Sequence, residues 1–379
     1  MHDFEVEAKA KLAKPIFDYF AGGADDGRAL ERNRQAFGWV HVCPRVLVDV
    51  SSISTRCSLL GRSLASPILI APTAMHKLAH PDGECAVATA AARLNMGMAV
   101  SMLSTTALEP LGDLLRGSSG LPLFQLYLLK DRSLTGELIQ RAEASGYQGL
   151  IITVDAPVSG RREADIRNRF ALASRMELPH LAGRGPTTRS PLIQFETMKD
   201  PQVTWEHLAW LRERTTLPIW LKGILREEDV LRACEQGFDG VVLSNHGGRQ
   251  LDIALSPLEV LPSIRQAVER AGHRVSLLMD GGIRRGSDVF TALGLGADAV
   301  LVGRPVLWGL AVSGEAGVTQ VLNLLNQELE LTMTLAGCAR PQDIALDLLY
   351  AEPMFRAAPV DGQRPADRTL RFPEATART

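Results

Sequence analysis

The sequence lacks the features that would assign it to a disulfide-rich, metal-binding or membrane class. Its 379 residues contain five cysteines, an odd number, with no Cys-x-x-Cys pair, so neither a disulfide framework nor a structural zinc site is indicated. Reduced thiols are typical of a cytoplasmic protein, which we expect here. No run of about 18 uncharged apolar residues occurs, so no membrane-spanning helix is expected.

Strong charge of one sign is also missing. Lys and Arg number 41 against 43 Asp and Glu, a formal charge of −2. The basic residues are scattered, which gives no reason to expect nucleic acid or an anionic membrane as a partner. The eight histidines form no cluster with ligand spacing, so no metal is expected either. With 46% hydrophobic and 22% charged residues, the composition is that of a globular protein with a buried core.

Short apolar runs do recur from residue 67 onward, with helix-like stretches such as 83–95 and 133–146 between them. The runs lie at 67–75, 97–102, 121–127, 149–157, 217–224, 240–245, 274–282 and 299–306. Continuous apolar strands that alternate with helices indicate a parallel sheet covered by helices. Eight such units over roughly 250 residues predict an α/β protein of the (β/α)8 TIM-barrel type. An open doubly wound sheet is the alternative, although no Gly-x-Gly-x-x-Gly follows the first strand.

Three regions interrupt the alternation. Residues 1–45 are predicted to form an N-terminal helical segment that packs on a barrel formed by residues 46–350. Residues 158–216 separate the fourth and fifth strands by more than one helix, and a connection of this length is typical of a functional lid. Residues 351–379, rich in Pro, Arg and Asp, are predicted to form a surface tail.

Nearly every predicted strand ends in a side chain that can titrate or hydrogen-bond, and TIM barrels carry their active sites at these ends. The loop 280–290, DGGIRRGSDVF, and the later Gly-Arg pair predict a phosphate site. There Arg284, Arg304 and a helix N-terminus capped by Ser287 would meet the anion. Lys222, at the end of the fifth strand, suits either a cation beside a flavin ring or the Schiff-base lysine of an aldolase or isomerase.

Four long motifs stand in a characteristic order: TVDAPVSGRREADIRNRF (153–170), SNHGGRQLD (244–252), DGGIRRGSDVF (280–290) and VGRPV (302–306). Together they resemble the family of FMN-dependent 2-hydroxy-acid oxidases and dehydrogenases, whose members include glycolate oxidase, lactate oxidase and mandelate dehydrogenase. The likeness covers most of residues 10–345. It implies FMN as cofactor and a small 2-hydroxy acid as substrate.

Oxidation of a 2-hydroxy acid requires a base for the hydroxyl proton and cations for the carboxylate. The resemblance implies that His246 is the base and that Asp155 orients it. It assigns the carboxylate to Arg162 and Arg249. Two substrate-facing tyrosines complete the implied catalytic set, Tyr19 and Tyr127.

The resemblance also implies the residues that contact FMN. Those at the flavin ring are Thr73, Ala74, Ser101, Gln125, Thr153 and Lys222. Those at the ribityl chain and phosphate are Ser244, Asp280, Gly282, Arg284, Gly303 and Arg304.

One position departs from glycolate-oxidising relatives, which resemble SSWATSS where this chain has SMLSTTA (101–107). Leu103 replaces an aromatic residue over the pocket, so we predict that lactate, longer aliphatic or aryl acids such as mandelate are preferred to glycolate. The segment between the fourth and fifth strands lacks the apolar insert of membrane-bound relatives. This favours an oxidase, with O2 reduced to hydrogen peroxide, over a dehydrogenase that uses a quinone or cytochrome. The family suggests a homotetramer.

Overall fold

Strands and helices alternate along the computed structural model of the chain, which describes residues 1–170, 176–184 and 190–351. The strands are β1 (Val40–Val42), β2 (Cys57–Leu59), β3 (Arg62–Leu64), β4 (Ile68–Ile70), β5 (Gly97–Ser101), β6 (Pro122–Leu126), β7 (Leu150–Thr153), β8 (Ile219–Ile224), β9 (Gly240–Leu243), β10 (Ser276–Asp280), β11 (Ala299–Val302) and β12 (Leu349–Ala351).

The α-helices follow the same order. They are α1 (His2–Lys11), α2 (Lys14–Ala21), α3 (Arg28–Gln35), α4 (Gly83–Arg93), α5 (Leu108–Leu115), α6 (Arg132–Ala144), α7 (Glu163–Arg167), α8 (Pro191–Met198), α9 (Trp205–Arg212), α10 (Glu227–Glu235), α11 (Pro257–Arg270), α12 (Gly286–Gly294) and α13 (Arg304–Ala336), the last interrupted at Ser313 and Gly314. Short 3-10 helices lie at Ala36–Trp39, His76–Leu78, Pro341–Asp343 and Leu346–Leu348.

The strands β4 to β11 form a closed parallel barrel, in which each strand pairs with the next and β11 returns to β4. Val300 of β11 stands opposite Ile68 of β4 and closes the ring. These strands are buried along almost their whole length, as parallel strands covered by helices must be. The predicted (β/α)8 barrel is confirmed, and the open sheet is wrong.

The barrel is filled at the end where its strands begin. Its interior core includes Leu69, Leu123, Trp220 and Leu278, and the hairpin β2–β3 adds Leu64 beneath them. Gly149, just before β7, and Gly240 of β9 leave space for the indole of Trp220, since a Cβ at Gly240 would lie 1.9 Å from that ring. Because this end is packed, a ligand can enter only at the opposite end, where the strands finish.

The N-terminal helices bring side chains to that opposite end. Phe17 of α2 stacks on Trp308 of α13 with ring centroids 5.1 Å apart. Asn33 of α3 and Asn245 after β9 exchange two side-chain hydrogen bonds, of 2.8 and 2.7 Å. Near the end of the described chain, β12 pairs antiparallel with β1. The predicted tail lies outside the described residues from position 352 onward.

The long connection after β7 contains more regular structure than the sequence prediction gave it. Helix α8 begins after Ser190, with Pro191 at its first position, an arrangement that favours helix initiation. An isolated bridge between Leu129 and Lys199 fixes the end of α8 beside the barrel. Residues 171–175 and 185–189 of the predicted lid lie outside the described residues. In the part of the chain that the structure describes, no helix is long and apolar enough to cross a membrane.

Candidate active site

A cavity of about 280 Å³ opens where the barrel strands end. All but two of the site residues predicted from the sequence line it. They are Tyr19, Thr73, Ala74, Ser101, Leu103, Gln125, Tyr127, Thr153, Arg162, Lys222, His246, Arg249, Asp280, Gly282, Arg284, Gly303 and Arg304. The two exceptions, Asp155 and Ser244, lie directly behind this wall and bond to residues in it.

The imidazole of His246 is held by a carboxylate. Its Nδ1 lies 2.9 Å from Asp155 Oδ1, and about a quarter of the His246 side chain is exposed. Burial raises the pKa of Asp155, but the charge and hydrogen bond of His246 and the charge of Lys222 outweigh it and hold the pKa below its usual value. An ionised Asp155 accepts a hydrogen bond from the Nδ1–H group, which leaves Nε2 with a free electron pair. That nitrogen can act as a general base.

The loop that carries His246 is fixed by its backbone and by α3. His246, Gly247 and Gly248 have φ angles of 58°, 63° and 76°, so the chain turns sharply through left-handed conformations. A Cβ at Gly248 would lie 2.4 Å from the main-chain nitrogen of Leu30. Because only glycine permits this close approach, the N-terminal segment holds the histidine loop in one position.

Two arginines form a cationic wall beside His246. The Arg249 and Arg162 guanidinium groups lie 5.0 and 5.9 Å from the Tyr19 ring centroid. Arg249 donates to the Tyr19 carbonyl at 2.7 Å, and Arg162 donates to Asp165 at 2.7 Å. Burial and the neighbouring Arg162 lower the pKa of Arg249. A planar carboxylate placed between these guanidinium groups would offset their repulsion.

Two tyrosines, Tyr19 buried and Tyr127 partly buried, supply neutral donors. Burial raises the pKa of Tyr127, and the charge of Asp155 raises it further. Burial likewise raises the pKa of Tyr19. Both phenols therefore keep their protons at neutral pH and can donate hydrogen bonds to a substrate oxygen.

Lys222 of β8 carries a buried positive charge in the cavity wall. Its Nζ lies 2.9 Å from Asp280 Oδ2 and 2.9 Å from the Ser244 hydroxyl. Burial lowers the pKa of Lys222, but Asp280 and then Asp155 raise it by more, so the net shift is upward. A charged lysine that is already engaged is unsuited to the nucleophilic amine of an aldolase.

Ser244 lies directly behind the cavity wall. It is fully buried and does not line the cavity. Its hydroxyl donates to Asp280 Oδ1 at 2.6 Å and accepts from Lys222 and from the His246 main-chain nitrogen. Ser244 therefore joins the lysine, its carboxylate and the histidine loop, and its contact with the cofactor stays a prediction.

A row of hydrogen-bonding side chains crosses three adjacent strands. Ser101 donates to Gln125 Oε1 at 3.1 Å, and Gln125 Nε2 donates to Thr153 Oγ1 at 2.9 Å. In the loop after β4, Thr73 Oγ1 lies 2.6 Å from His76 Nε2. These groups and Lys222 present donors and acceptors to the polar edge of a flat heterocycle.

The loops after β10 and β11 form the cationic end of the cavity. Gly281 and Gly282 have φ angles of 95° and 87°, and a Cβ at Gly282 would lie 1.9 Å from the Asn33 carbonyl oxygen. Arg284 Nε is buried without a hydrogen-bond partner. Burial, together with Arg34, lowers the pKa of Arg284 to about 10. A buried cation with an unpaired donor matches a phosphate group.

Helix α12 begins differently from the prediction. It starts at Gly286 with Arg285 before it, so Ser287 is not the cap. The Asp288 carboxylate instead accepts from the main-chain nitrogens of Arg284 and Arg285, at 2.7 and 2.8 Å. Asp288 takes this role because its carboxylate accepts both hydrogen bonds, and because its negative charge is stabilised by the positive N-terminal end of the helix dipole.

Arg304 connects separate parts of the site. Its guanidinium donates to the carbonyls of Phe20, Gly247 and Gly22 at 3.0, 3.0 and 2.9 Å. Burial and the charges of Arg249 and Arg284 lower its pKa. The side chain is thus occupied with holding α2 against the histidine loop, while Gly303 presents the start of α13 to the cavity.

These groups fit the FMN that the resemblance implies. The unpaired Arg284 Nε and the Gly282 turn would hold the phosphate, and Lys222 with Gln125 would hold the polar edge of the ring. Among the described residues, no three His, Cys, Asp or Glu side chains are grouped so as to hold a metal ion.

The sequence prediction missed one side of the cavity. Helix α8 and the residue after it contribute Leu192, Ile193, Phe195, Glu196 and Lys199. Phe195 packs edge-on against Tyr127 with ring centroids 5.0 Å apart. The Ser-Pro pair that starts α8 was the available signal of a helix, but nothing in the sequence places that helix over the cavity.

Comparison with known proteins gives consistent matches over almost the whole chain. The model of a family described as FMN-dependent dehydrogenase matches residues 8–351. The chain is 46% identical to an L-lactate oxidase of Nostoc sp., over 92% of this chain and 97% of that protein. It is 44% identical to a peroxisomal (S)-2-hydroxyacid oxidase of Arabidopsis thaliana, over 92% and 96% of the two chains. The structure of a mandelate oxidase with (S)-4-hydroxymandelic acid superposes with a TM-score of 0.85 and 40% identity, covering 93% of this chain and 98% of the other.

Proposed function

The chain belongs to the family of FMN-dependent dehydrogenases, and we propose that it is an oxidase that converts an (S)-2-hydroxy acid to the 2-keto acid. The observation that carries this proposal is the position of His246, which is backed by Asp155 and stands beside the Arg162–Arg249 pair. A base next to two guanidinium groups suits a substrate that bears a hydroxyl beside a carboxylate.

The side chains of this protein then perform separate parts of the reaction. Arg162 and Arg249 bind the carboxylate, and Tyr127 donates to the substrate oxygen. His246 Nε2 takes the hydroxyl proton, and ionised Asp155 stabilises the resulting imidazolium.

FMN, when bound, accepts the two electrons released as the α-carbon becomes a carbonyl. Lys222, fixed by Asp280 and Ser244, places its positive charge in the cavity wall. A positive charge there favours the added negative charge of a reduced cofactor.

We infer that the substrate is lactate, a longer aliphatic acid or an aryl acid such as mandelate. Leu103 is buried in the cavity wall, and a leucine leaves more space than an aromatic ring at that position. Relatives named L-lactate oxidase and mandelate oxidase support this range.

We infer that O2 is the electron acceptor and that hydrogen peroxide is released, since the relatives from Nostoc sp. and Arabidopsis thaliana are both named oxidases. The test is an oxygen electrode with a peroxide assay on FMN-loaded protein and (S)-lactate. One peroxide formed per O2 consumed is the expected result. Turnover only with a quinone, cytochrome c or an artificial acceptor would identify a dehydrogenase instead.

We further propose a homotetramer located in the cytoplasm. Leu251, Ile253 and Leu255 expose 61%, 75% and 46% of their surfaces beside the histidine loop, which supports burial against another copy. All five cysteines are unpaired, which is usual in a reducing compartment. Some relatives are named peroxisomal, so fractionation of cells that express the full chain is the test of location.

A further inference from the structure

The cavity has one wall that the proposed reaction leaves without a role. The substrate carboxylate and hydroxyl are held by the arginines and His246, and the opposite side is taken by the residues assigned to FMN. The side chain of the substrate must therefore extend toward Leu103 and helix α8. Phe195 and Ile193 are apolar there, but the end of this wall is charged.

That charged end is an ion pair. Lys199 is only 3% exposed, and its Nζ lies 3.0 Å from Glu196 Oε2 and 3.3 Å from the Ala156 carbonyl. The ammonium group also lies 5.3 Å from the Phe195 ring centroid. Glu196 is partly exposed and accepts a hydrogen bond from Ser159. Both members of the pair line the substrate cavity.

A buried lysine has a substantial desolvation cost, and an aliphatic residue would pack at this position without that cost. Lys199 also lines a second cavity of about 420 Å³, which shares Tyr127, Thr153 and Ala156 with the first. The pair thus stands where a long substrate side chain would end.

We propose that the Lys199–Glu196 pair determines which groups are accepted at the far end of the substrate's side chain. A neutral hydrogen-bonding group is accepted, because a hydroxyl can donate to Glu196 and accept from Lys199 in place of Ser159 Oγ, whose contact with Lys199 Nζ is the longest at 3.5 Å. A second carboxylate is rejected, because Glu196 repels it and already neutralises the lysine. This assignment rests on the proposed 2-hydroxy-acid oxidase function and names its side-chain class.

The test compares kcat/KM for matched substrates in FMN-loaded protein. The wild type should oxidise (S)-4-hydroxymandelate at least about tenfold more efficiently than (S)-mandelate, and Lys199→Met should reduce that ratio to about one, the loss expected for a hydrogen bond to a charged group.

Glu196→Gln should raise kcat/KM for (S)-2-hydroxyglutarate at least about tenfold relative to (S)-2-hydroxypentanoate, because the carboxylate repulsion is removed. Glu206→Gln, an exposed carboxylate change on α9, should leave both ratios unchanged.

FMN content and the thermal midpoint of each variant distinguish altered preference from poor folding. Glu196 is partly exposed, so its variant remains informative if Lys199→Met is unstable. If (S)-lactate reduces the flavin but both kcat/KM ratios are the same in the variants as in the wild type, the assignment of the Lys199–Glu196 pair is wrong and the proposed function stands. Failure of every 2-hydroxy acid to reduce the wild-type flavin would overturn the proposed function and this assignment together.

Discussion

His246 Nδ1 and Asp155 Oδ1 lie 2.9 Å apart, although the two residues are 91 positions apart in the chain. The histidine follows β9 and the aspartate follows β7, and the intervening strand β8 brings Gly223 against the aspartate. A Cβ at Gly223 would lie 2.4 Å from Asp155 Cβ. The barrel therefore assembles the pair by strand order and keeps it together by close packing.

Asp155→Asn should lower kcat for flavin reduction by about 10²- to 10⁴-fold while FMN remains bound. The second carboxylate oxygen, Oδ2, is buried without a partner, so an amide either leaves a buried donor unpaired there or forces the wrong imidazole tautomer. The pKa of Asp155 is lowered, so its carboxylate stays ionised above its unfolded pKa of about 3.9. The defect should therefore persist from about pH 5 to 9 in stopped-flow reduction assays. An undiminished rate would refute the role of Asp155.

Arg284→Met should raise the dissociation constant for FMN by about 10- to 100-fold, the loss of a charge-assisted hydrogen bond. Arg285→Met is the matched control, since Arg285 is exposed and pairs with Glu328 at 3.1 Å. Fluorescence titration of apoprotein with FMN measures both. Equal weakening by the two substitutions would mean that a diffuse positive field, and not the unpaired Arg284 donor, holds the phosphate.

Lys222→Met should destabilise the apoprotein by about 3–5 kcal/mol, because it leaves the Asp280 carboxylate buried without its cation. Lys222→Met combined with Asp280→Asn should recover more than half of that loss in urea unfolding. The pKa of Lys222 is raised, so its contribution to stability is complete below its unfolded pKa of about 10.4 and is lost only as the pH rises through the folded value. If Lys222→Met alone were as stable as the variant that combines it with Asp280→Asn, the lysine would be shown to be uncharged.

Leu103→Trp should shift preference toward small substrates. The leucine is 7% exposed and lines the cavity, so an indole would occupy the space beside it. We expect kcat/KM for (S)-mandelate to fall at least about tenfold, while that for glycolate changes little. Steady-state kinetics with both acids measures the ratio, and parallel changes for the two would place the substrate side chain elsewhere.

The sequence was most informative where chemistry and strand ends coincide. Apolar runs located all eight barrel strands, because buried parallel strands leave continuous hydrophobic segments. Polar residues at those ends then had to meet at one edge of the barrel. That is why Gln125, Lys222, His246 and Arg284, which are distant in sequence, could be assigned to one cavity.

Other features depend on contacts that no local pattern encodes. The reciprocal amide pair of Asn33 and Asn245 joins an N-terminal helix to a loop 212 residues later. The Ser244 hydroxyl accepts from Lys222 and donates to Asp280, two hydrogen bonds that its position after a strand does not predict. Lys199 looks like an ordinary surface lysine in the sequence, yet it is buried at the end of α8.

Anaerobic mixing of FMN-loaded protein with (S)-lactate or (S)-mandelate, followed at the flavin absorbance band, tests the central claim most directly. We predict a yellow wild-type protein that is bleached by the hydroxy acid, and a His246→Ala variant that binds FMN but is reduced at least about 10²-fold more slowly. Protein that stays colourless after addition of FMN, or a His246→Ala variant that is bleached as fast as the wild type, would contradict the account.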